Sequence, residues 1–387
     1  NSNHFFWFFP ATKSPDTAPV VVWLQGGPGA SSLFGLFYEN GPYGVKVINN
    51  TNTLYLRKYS WTKTLSVLFI DNPVGAGYSF TEKDDGYCKS EEDVAANLYE
   101  TIVQFFQLFP NLTKNEFYVT GESYAGKYAP ALAYAIHEAN NASKSKINLK
   151  GVAIGDGFAD PFNMLSYGDY LYKLGLVDDQ ERKQFNEKQN EARELIRAGK
   201  MEKALKVRLS LIRGDSSLFT NITGFQNIYN YLYSSSHYMD DLTAQVAQDE
   251  AIRKRIHVGN ITFNNGSVCN EYLKNDIMRS VVPWIKVLLE NGYKFMTYNG
   301  QLDIIDAYPL TVEYIQKLDW SGAEEYKSSK RHIWKVQTND EEVAGYVRIV
   351  RNLFEVLVRN AGHMVPADQP RASYDLINRF VFNTPFF

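Results

Sequence analysis

The feature that most constrains this chain is a series of short, unbroken apolar runs, each stopped by a glycine- or proline-containing turn. Ala18-Pro19-Val20-Val21-Val22-Trp23-Leu24 stops at Gly26-Gly27-Pro28-Gly29, and Ser66 to Ile70 stops at Asp71-Asn72-Pro73. Runs of that length without polar alternation belong to strands buried on both faces. Helical periodicity separates them. From about Ser90 to Phe109, Val94, Leu98, Ile102, Phe105, Phe106 and Phe109 recur at helical spacing, and Ser90 precedes Asp93 as in a capping box. Strand Glu116 to Thr120, a turn from Gly121 to Gly126, a helix from Lys127 to Asn140 and strand Leu149 to Ile154 follow in order. Strand, turn and helix repeated in this way predict an α/β fold with a mostly parallel sheet and helices on both faces.

The pattern changes beyond residue 160. Helical segments dominate to about residue 291, the most polar running from Asp178 to Leu211, where Lys, Arg and Glu surround spaced apolar residues as on a solvated helix face. Strand character returns at Tyr293 to Tyr298, Ile333 to Val336, Tyr346 to Val350 and Val356 to Val358, and a last helix is predicted from Arg371 to Phe380. The expected plan is one α/β core, residues 1–160 and 292–387, interrupted by a mainly helical insertion, residues 161–291, that caps one end of it.

Composition sets the limits. The 387 residues are 44% hydrophobic and 21% charged, which excludes a disordered, collagenous or coiled-coil chain. A net charge of −3 provides no field to recruit nucleic acid or anionic membrane. The longest apolar stretches are strand length, too short to span a bilayer. The N-terminus lacks the basic and apolar regions of a signal peptide; it opens inside an extended pattern, His4 to Phe9, as if the true start lay upstream. Asn-x-Ser/Thr sequons at Asn49, Asn111, Asn141, Asn221, Asn260 and Asn265 favour a secreted or lumenal protein carrying glycans. Two cysteines, Cys88 and Cys269, are too few for a metal cluster, and neither a metal nor a cofactor is expected.

Gly121-Glu122-Ser123-Tyr124-Ala125-Gly126 carries the strongest chemical signal. It is Gly-x-Ser-x-Gly with one extra residue, entered by an apolar strand and left by a helix. Such a turn lifts the serine hydroxyl and demands small neighbours, and the helix N-terminus offers N–H groups to a developing oxyanion. The competing reading is a serine that merely caps the helix. A nucleophilic serine needs a base, and six histidines limit the choice. His363, in a loop past a late strand, fits the chain order serine, acid, histidine better than His4, His137, His237, His257 or His332. The acid should follow a strand between them: Asp303 in Asn299-Gly300-Gln301-Leu302-Asp303 is the first candidate, with Asp306 as rival or as cap of the next helix. Gln25 to Gly29 would bring backbone N–H groups close to a tetrahedral oxygen; no Gly-Lys-Ser/Thr follows, so a phosphate cradle is excluded.

Six ordered blocks, Gln25 to Gly29, Asp71 to Gly75, Gly121 to Gly126, Ile154 to Gly157, Asn299 to Asp303 and Gly362 to Pro366, span nearly the whole chain, which in them resembles the serine carboxypeptidases, most closely the vitellogenic-like branch. The resemblance implies an α/β-hydrolase that removes C-terminal residues of peptides and proteins through an acyl-enzyme, favoured at acid pH, secreted or in the lysosomal or endosomal lumen, as a monomer or homodimer. It implies Ser123 as nucleophile, His363 as base, Asp303 as its partner, and the N–H groups of Gly27 and Tyr124 as oxyanion hole. Gln25, Gly26, Glu39 and Glu122 would read the substrate's free carboxylate, and Phe34, Tyr38 and Met364 would line a side-chain pocket. Acids can face a carboxylate only while they hold protons. Relatives usually have asparagine at Gln25 and a cysteine at Ala30, with several disulfides; here Cys88 and Cys269 either pair with each other or remain buried thiols. The alternatives are an acyltransferase or esterase using the same three residues, or an idle binding or storage protein.

Overall fold

The computed structural model describes residues 2–49, 51–142, 146–235 and 240–387. Nine strands form its main sheet: β1 (Phe6–Phe9), β2 (Val20–Leu24), β3 (Ser66–Ile70), β4 (Phe117–Glu122), β5 (Leu149–Gly155), β6 (Lys294–Gly300), β7 (His332–Trp334), β8 (Gly345–Val350) and β9 (Leu353–Val358). The spatial order is β7-β8-β9-β6-β5-β4-β2-β3-β1. The six strands from β9 to β3 run parallel, and β1, β7 and β8 are added antiparallel at the two edges. Every residue of β2 is fully buried, and its side chains alternate between two cores: Val20, Val22 and Leu24 enter one, Val21 and Trp23 the other. Burial on both faces is why these strands read as continuous apolar runs.

Helix α1 (Glu91–Leu108) begins where Ser90 accepts the Asp93 N–H at 3.3 Å. It packs with α2 (Ala125–Ala142) over one face, and Leu98, Ile102 and Phe105 join Leu132 and Ile136 in that core. The polar stretch after residue 178 folds as α3 (Asp179–Arg197), opened by a capping box between Asp178 and Glu181, and α4 (Met201–Ile212). Further short helices carry the chain to α5 (Val282–Glu290). The C-terminal helix α6 (Pro370–Phe382) covers the opposite face with Leu376, Ile377 and Phe380. The central strands point the same way, so the ends of β2, β3, β4, β5 and β6 deliver their loops to one edge of the sheet, and every block singled out in the first half of the sequence lies there. Among the described residues no helix is long and apolar enough to cross a membrane.

Candidate active site

Ser123 stands between the end of β4 and the start of α2 with φ +61°, a left-handed conformation that a serine adopts only where its surroundings enforce it. They do. The Ser123 N–H donates to the Gly155 carbonyl at 2.9 Å, and the Ser123 carbonyl accepts the N–H groups of Gly126 and Phe158 at 2.8 and 3.0 Å. A Cβ at Gly121 would lie 2.6 Å from both Ala125 Cβ and the Leu24 carbonyl, so the turn closes only with glycine there.

The histidine and the acid both arrive from the last quarter of the sequence, 60 residues apart. His363 Nδ1 lies 2.9 Å from Asp303 Oδ2, with both side chains buried. Asp303 also accepts the N–H groups of Ile305 and Asp306 at 3.1 and 3.3 Å. With Nδ1 donating to Asp303, Nε2 is the acceptor nitrogen of the neutral ring, and it has no partner among the described residues. Burial pushes the imidazole pKa down, and the charge and hydrogen bond of Asp303 more than reverse this, leaving it above the ordinary histidine value. The loop is held from outside as well: the His363 N–H donates to the Tyr229 carbonyl at 2.7 Å, and the two rings lie 5.3 Å apart.

The glycine loop after β2 meets Ser123 directly. A Cβ at Gly26 would sit 2.6 Å from the Tyr124 nitrogen and 2.7 Å from Ser123 Cβ. Gly27, at φ +114°, turns the chain beside them, and the N–H groups of Gly27 and Tyr124 have no intramolecular acceptor among the described residues. Asp71 holds this loop in place, accepting Ser31 Oγ at 2.5 Å and the Ser32 N–H at 3.0 Å on one oxygen and the Tyr78 N–H at 2.8 Å on the other. Behind the loop lies a buried carboxyl pair. Gln25 Nε2 donates to Glu122 Oε1 at 3.0 Å, while Glu39, at the end of a π-helical turn (Gly35–Glu39), adjoins both. Among the described residues no N–H or O–H donor outside this Gln25–Glu39–Glu122 cluster reaches either Glu39 oxygen or Glu122 Oε2. Two such carboxyls in contact form a hydrogen bond only by sharing a proton. Burial raises the Glu39 pKa to about 7, and burial together with the Glu39 charge raises that of Glu122 well above the usual carboxylate range.

Gln25, Gly26, Gly27, Glu122, Ser123 and His363 line one open cavity of about 460 Å³, while Asp303 and Glu39 are buried and do not line it. The sequence profile of the serine carboxypeptidases matches residues 1–383. The chain belongs to the serine carboxypeptidase family. The venom serine carboxypeptidase of Apis mellifera is 50% identical over 392 residues, covering all of this chain and 82% of that protein. The human probable serine carboxypeptidase CPVL is 47% identical over 387 residues, 99% of this chain and 80% of its own. A crystal structure of Kex1(delta)p, a prohormone-processing carboxypeptidase from Saccharomyces cerevisiae, superposes with a TM-score of 0.84 at 26% identity, covering 99% of this chain and 87% of that one. The fold is therefore the α/β-hydrolase fold of that family, and the enzyme is a serine carboxypeptidase.

Within this carboxypeptidase some expectations change. Phe34 and Met364 line the cavity, whereas Tyr38 does not; its ring lies 5.2 Å from that of Phe34 and backs it. Cys88 and Cys269 are free buried thiols, not a disulfide. Each has its own polar partner, Asn97 Nδ2 at 3.2 Å for Cys88 and the Val74 carbonyl at 3.6 Å for Cys269, and burial pushes both thiols up to about 12. Asp306 caps no helix: the next one, Tyr308–Gln316, starts after Ala307, and the Asp306 carboxylate instead meets Arg208 Nη2 at 3.2 Å in the interior. His4 and His137 bond to Thr101 and Tyr293, away from this cavity, and His237 lies outside the described residues. All six sequon asparagines are exposed, and Asn265 lines the cavity. Sequence reasoning missed the contribution of the helical segments: Arg208, Arg213, Tyr229, Thr243 and Gln248 also line the cavity and stand in no motif. Arg208 lies in the most polar helical segment, where nothing in the sequence separates it from the other charged residues of a solvated face.

Proposed function

We propose that Ser123 is the nucleophile, His363 the general base and Asp303 its orienting acid, and that Gln25, Gly26, Glu39 and Glu122 bind the C-terminal carboxylate of the substrate. The observation that carries this is the buried 2.9 Å contact of Asp303 with His363, whose other nitrogen is unpartnered in a cavity shared with Ser123. Ser123 Oγ attacks the carbonyl carbon of the last peptide bond while its proton passes to His363 Nε2. The carbonyl oxygen becomes an oxyanion and takes the N–H groups of Gly27 and Tyr124, which a ground-state carbonyl meets less well. Collapse breaks the C–N bond; the leaving amine takes the proton from His363, and the peptide remains as an ester on Ser123. Water then attacks the ester, giving its proton to His363 and thence back to Ser123, and the shortened peptide leaves.

Restriction to the last residue follows from the carboxyl pair. A substrate carboxylate approaching Gln25, Glu122 and Glu39 finds the amide and a shared proton as donors, and an internal peptide bond presents no group to use them. Because the pair must hold its proton, we place the working range at acid pH, in a secreted or lysosomal setting; the six exposed sequons agree with glycosylation along that route. Residues 161–291 act as a cap that supplies the outer wall of the cavity. The test is hydrolysis of a blocked dipeptide as free acid and as C-terminal amide. Ser123→Ala should lose on the order of 10⁵-fold or more in kcat with the thermal midpoint unchanged. Wild-type turnover in that variant would end the assignment.

A further inference from the structure

The Ile154-Gly155-Asp156-Gly157 block has no part in the reaction as described, yet it places an acid beside the centre of it. Asp156 follows the last residue of β5, fully buried, at φ +44°. Its N–H donates to the Tyr298 carbonyl at 2.8 Å, and its Oδ1 accepts the Gly300 N–H at 2.9 Å, so both contacts tie it to the end of β6. Among the described residues no N–H or O–H donor reaches Oδ2. The group that carboxyl meets is the carboxyl of Asp303: Asp156, Asp303 and His363 each turn one ligating atom into a cluster less than 4.8 Å across, and the two acids are in hydrogen-bond contact.

Two carboxyls in contact in the interior hold one proton between them. The donors decide which acid carries it. Asp303 receives three, from Ile305 N, Asp306 N and His363 Nδ1, whereas Asp156 receives one, from Gly300 N. Three donors make Asp303 the accepting member of the pair, so the proton belongs to Asp156. Burial, and after it the charge of Asp303, push the Asp156 carboxyl well above the usual carboxylate range, in agreement with that placement.

We infer that Asp156 is a positioning residue: as a neutral carboxylic acid it donates a hydrogen bond from Oδ2 to the Asp303 carboxylate and so fixes the plane in which Asp303 faces His363 Nδ1. The inference rests on Asp303 being the orienting acid. Without that donor Asp303 can rotate about its last torsion, and the imidazole loses the alignment that aims Nε2 at Ser123. A terminal carboxyl torsion is broad, so a fourth contact is what restricts it. Asparagine offers an N–H of similar reach and tolerates φ > 0; glycine also tolerates this backbone but offers no donor.

The experiment compares Asp156→Asn with Asp156→Gly on the free-acid dipeptide, with active-site titration to count competent enzyme. Asp156→Asn should keep kcat within about threefold, and Asp156→Gly should lose roughly 30-fold or more in kcat with KM within about twofold. Asp156→Ala, read in the same way, replaces the glycine variant if that one fails to fold. Equal retention by both variants, equal loss in both, or a loss confined to KM would each overturn the inference. Failure of the orienting-acid assignment itself is seen separately, as unchanged turnover in Asp303→Asn.

Discussion

Trp23 Nε1 donates to Gln25 Oε1 at 2.9 Å, and this settles which end of the Gln25 amide faces Glu122. Residues two apart on a strand share a face, so the indole beneath can reach the side chain above. With its oxygen occupied by Trp23, the amide presents Nε2 to the carboxyl pair. Gly35 is what permits the contact, because a Cβ there would lie 2.1 Å from Trp23 Nε1.

Trp23→Phe should therefore free the Gln25 amide to rotate while leaving the packing against Trp61, at 5.3 Å between rings, largely in place. We expect KM for a free-acid dipeptide to rise by about 3- to 10-fold, the worth of one buried hydrogen bond, with kcat unchanged. A loss in kcat at constant KM would show that the indole serves the reaction by another route.

Glu39 and Glu122 set a pH dependence on binding. Their pKa values are raised, Glu39 to about 7 and Glu122 well above the usual carboxylate range, so both acids are neutral below about 7. As pH climbs through that value Glu39 ionises, and the pair keeps one proton but presents a negative charge to the substrate carboxylate. KM for the free acid should rise between pH 5 and pH 8, and KM for the C-terminal amide should stay nearly flat. Glu122→Gln should flatten the free-acid curve, since its amide donates at any pH. Glu39 also contributes to the raised pKa of His363, so Glu39→Gln should extend the acid limb of kcat to lower pH. Parallel KM curves for acid and amide would remove both glutamates from carboxylate recognition.

Asp303 and Asp306 are three residues apart and should fail in different ways. Asp303→Asn removes the partner of His363 and should cost on the order of 10⁴-fold in kcat. Asp306→Asn leaves Arg208 as a buried charge without its partner, and should cost about 3 kcal/mol of stability with at most about a ten-fold change in kcat. Turnover on titrated enzyme together with denaturant unfolding separates the two; the reverse ranking in kcat would transfer the orienting role to Asp306.

Buried carboxyls also tie stability to pH. Burial raises Asp71 to about 6, Glu39 to about 7 and Glu91 to about 8. Each binds its proton more tightly when folded than when unfolded, so the advantage is complete below about pH 4 and is lost progressively as pH rises from there through the folded values, to about 8. The thermal midpoint should be about 5 °C or more higher at pH 5 than at pH 8. Glu91→Gln should reduce that difference. A midpoint that rises with pH over this range would show these acids to be ionised in the folded protein.

Local patterns in the sequence determine much of this protein. The unbroken run Val20 to Leu24 could only be a strand covered on both faces, and the glycine at 121 could only serve a turn as tight as the one that raises Ser123. Those are properties of neighbouring residues, and periodicity and turn chemistry record them in one dimension. Contacts between distant segments leave no such trace. The 60-residue gap from Asp303 to His363 says nothing of a 2.9 Å contact, and nothing near Asp306 announces that Arg208, 98 residues earlier, will take its carboxylate and remove it from helix capping. The pairing of Glu39 with Glu122 and the meeting of Asp156 with Asp303 are of the same kind. Each exists because parallel strands deliver their loops to one edge of a sheet, and each gains its chemistry from burial, which turns an ordinary acid into a proton donor only after the chain has closed around it.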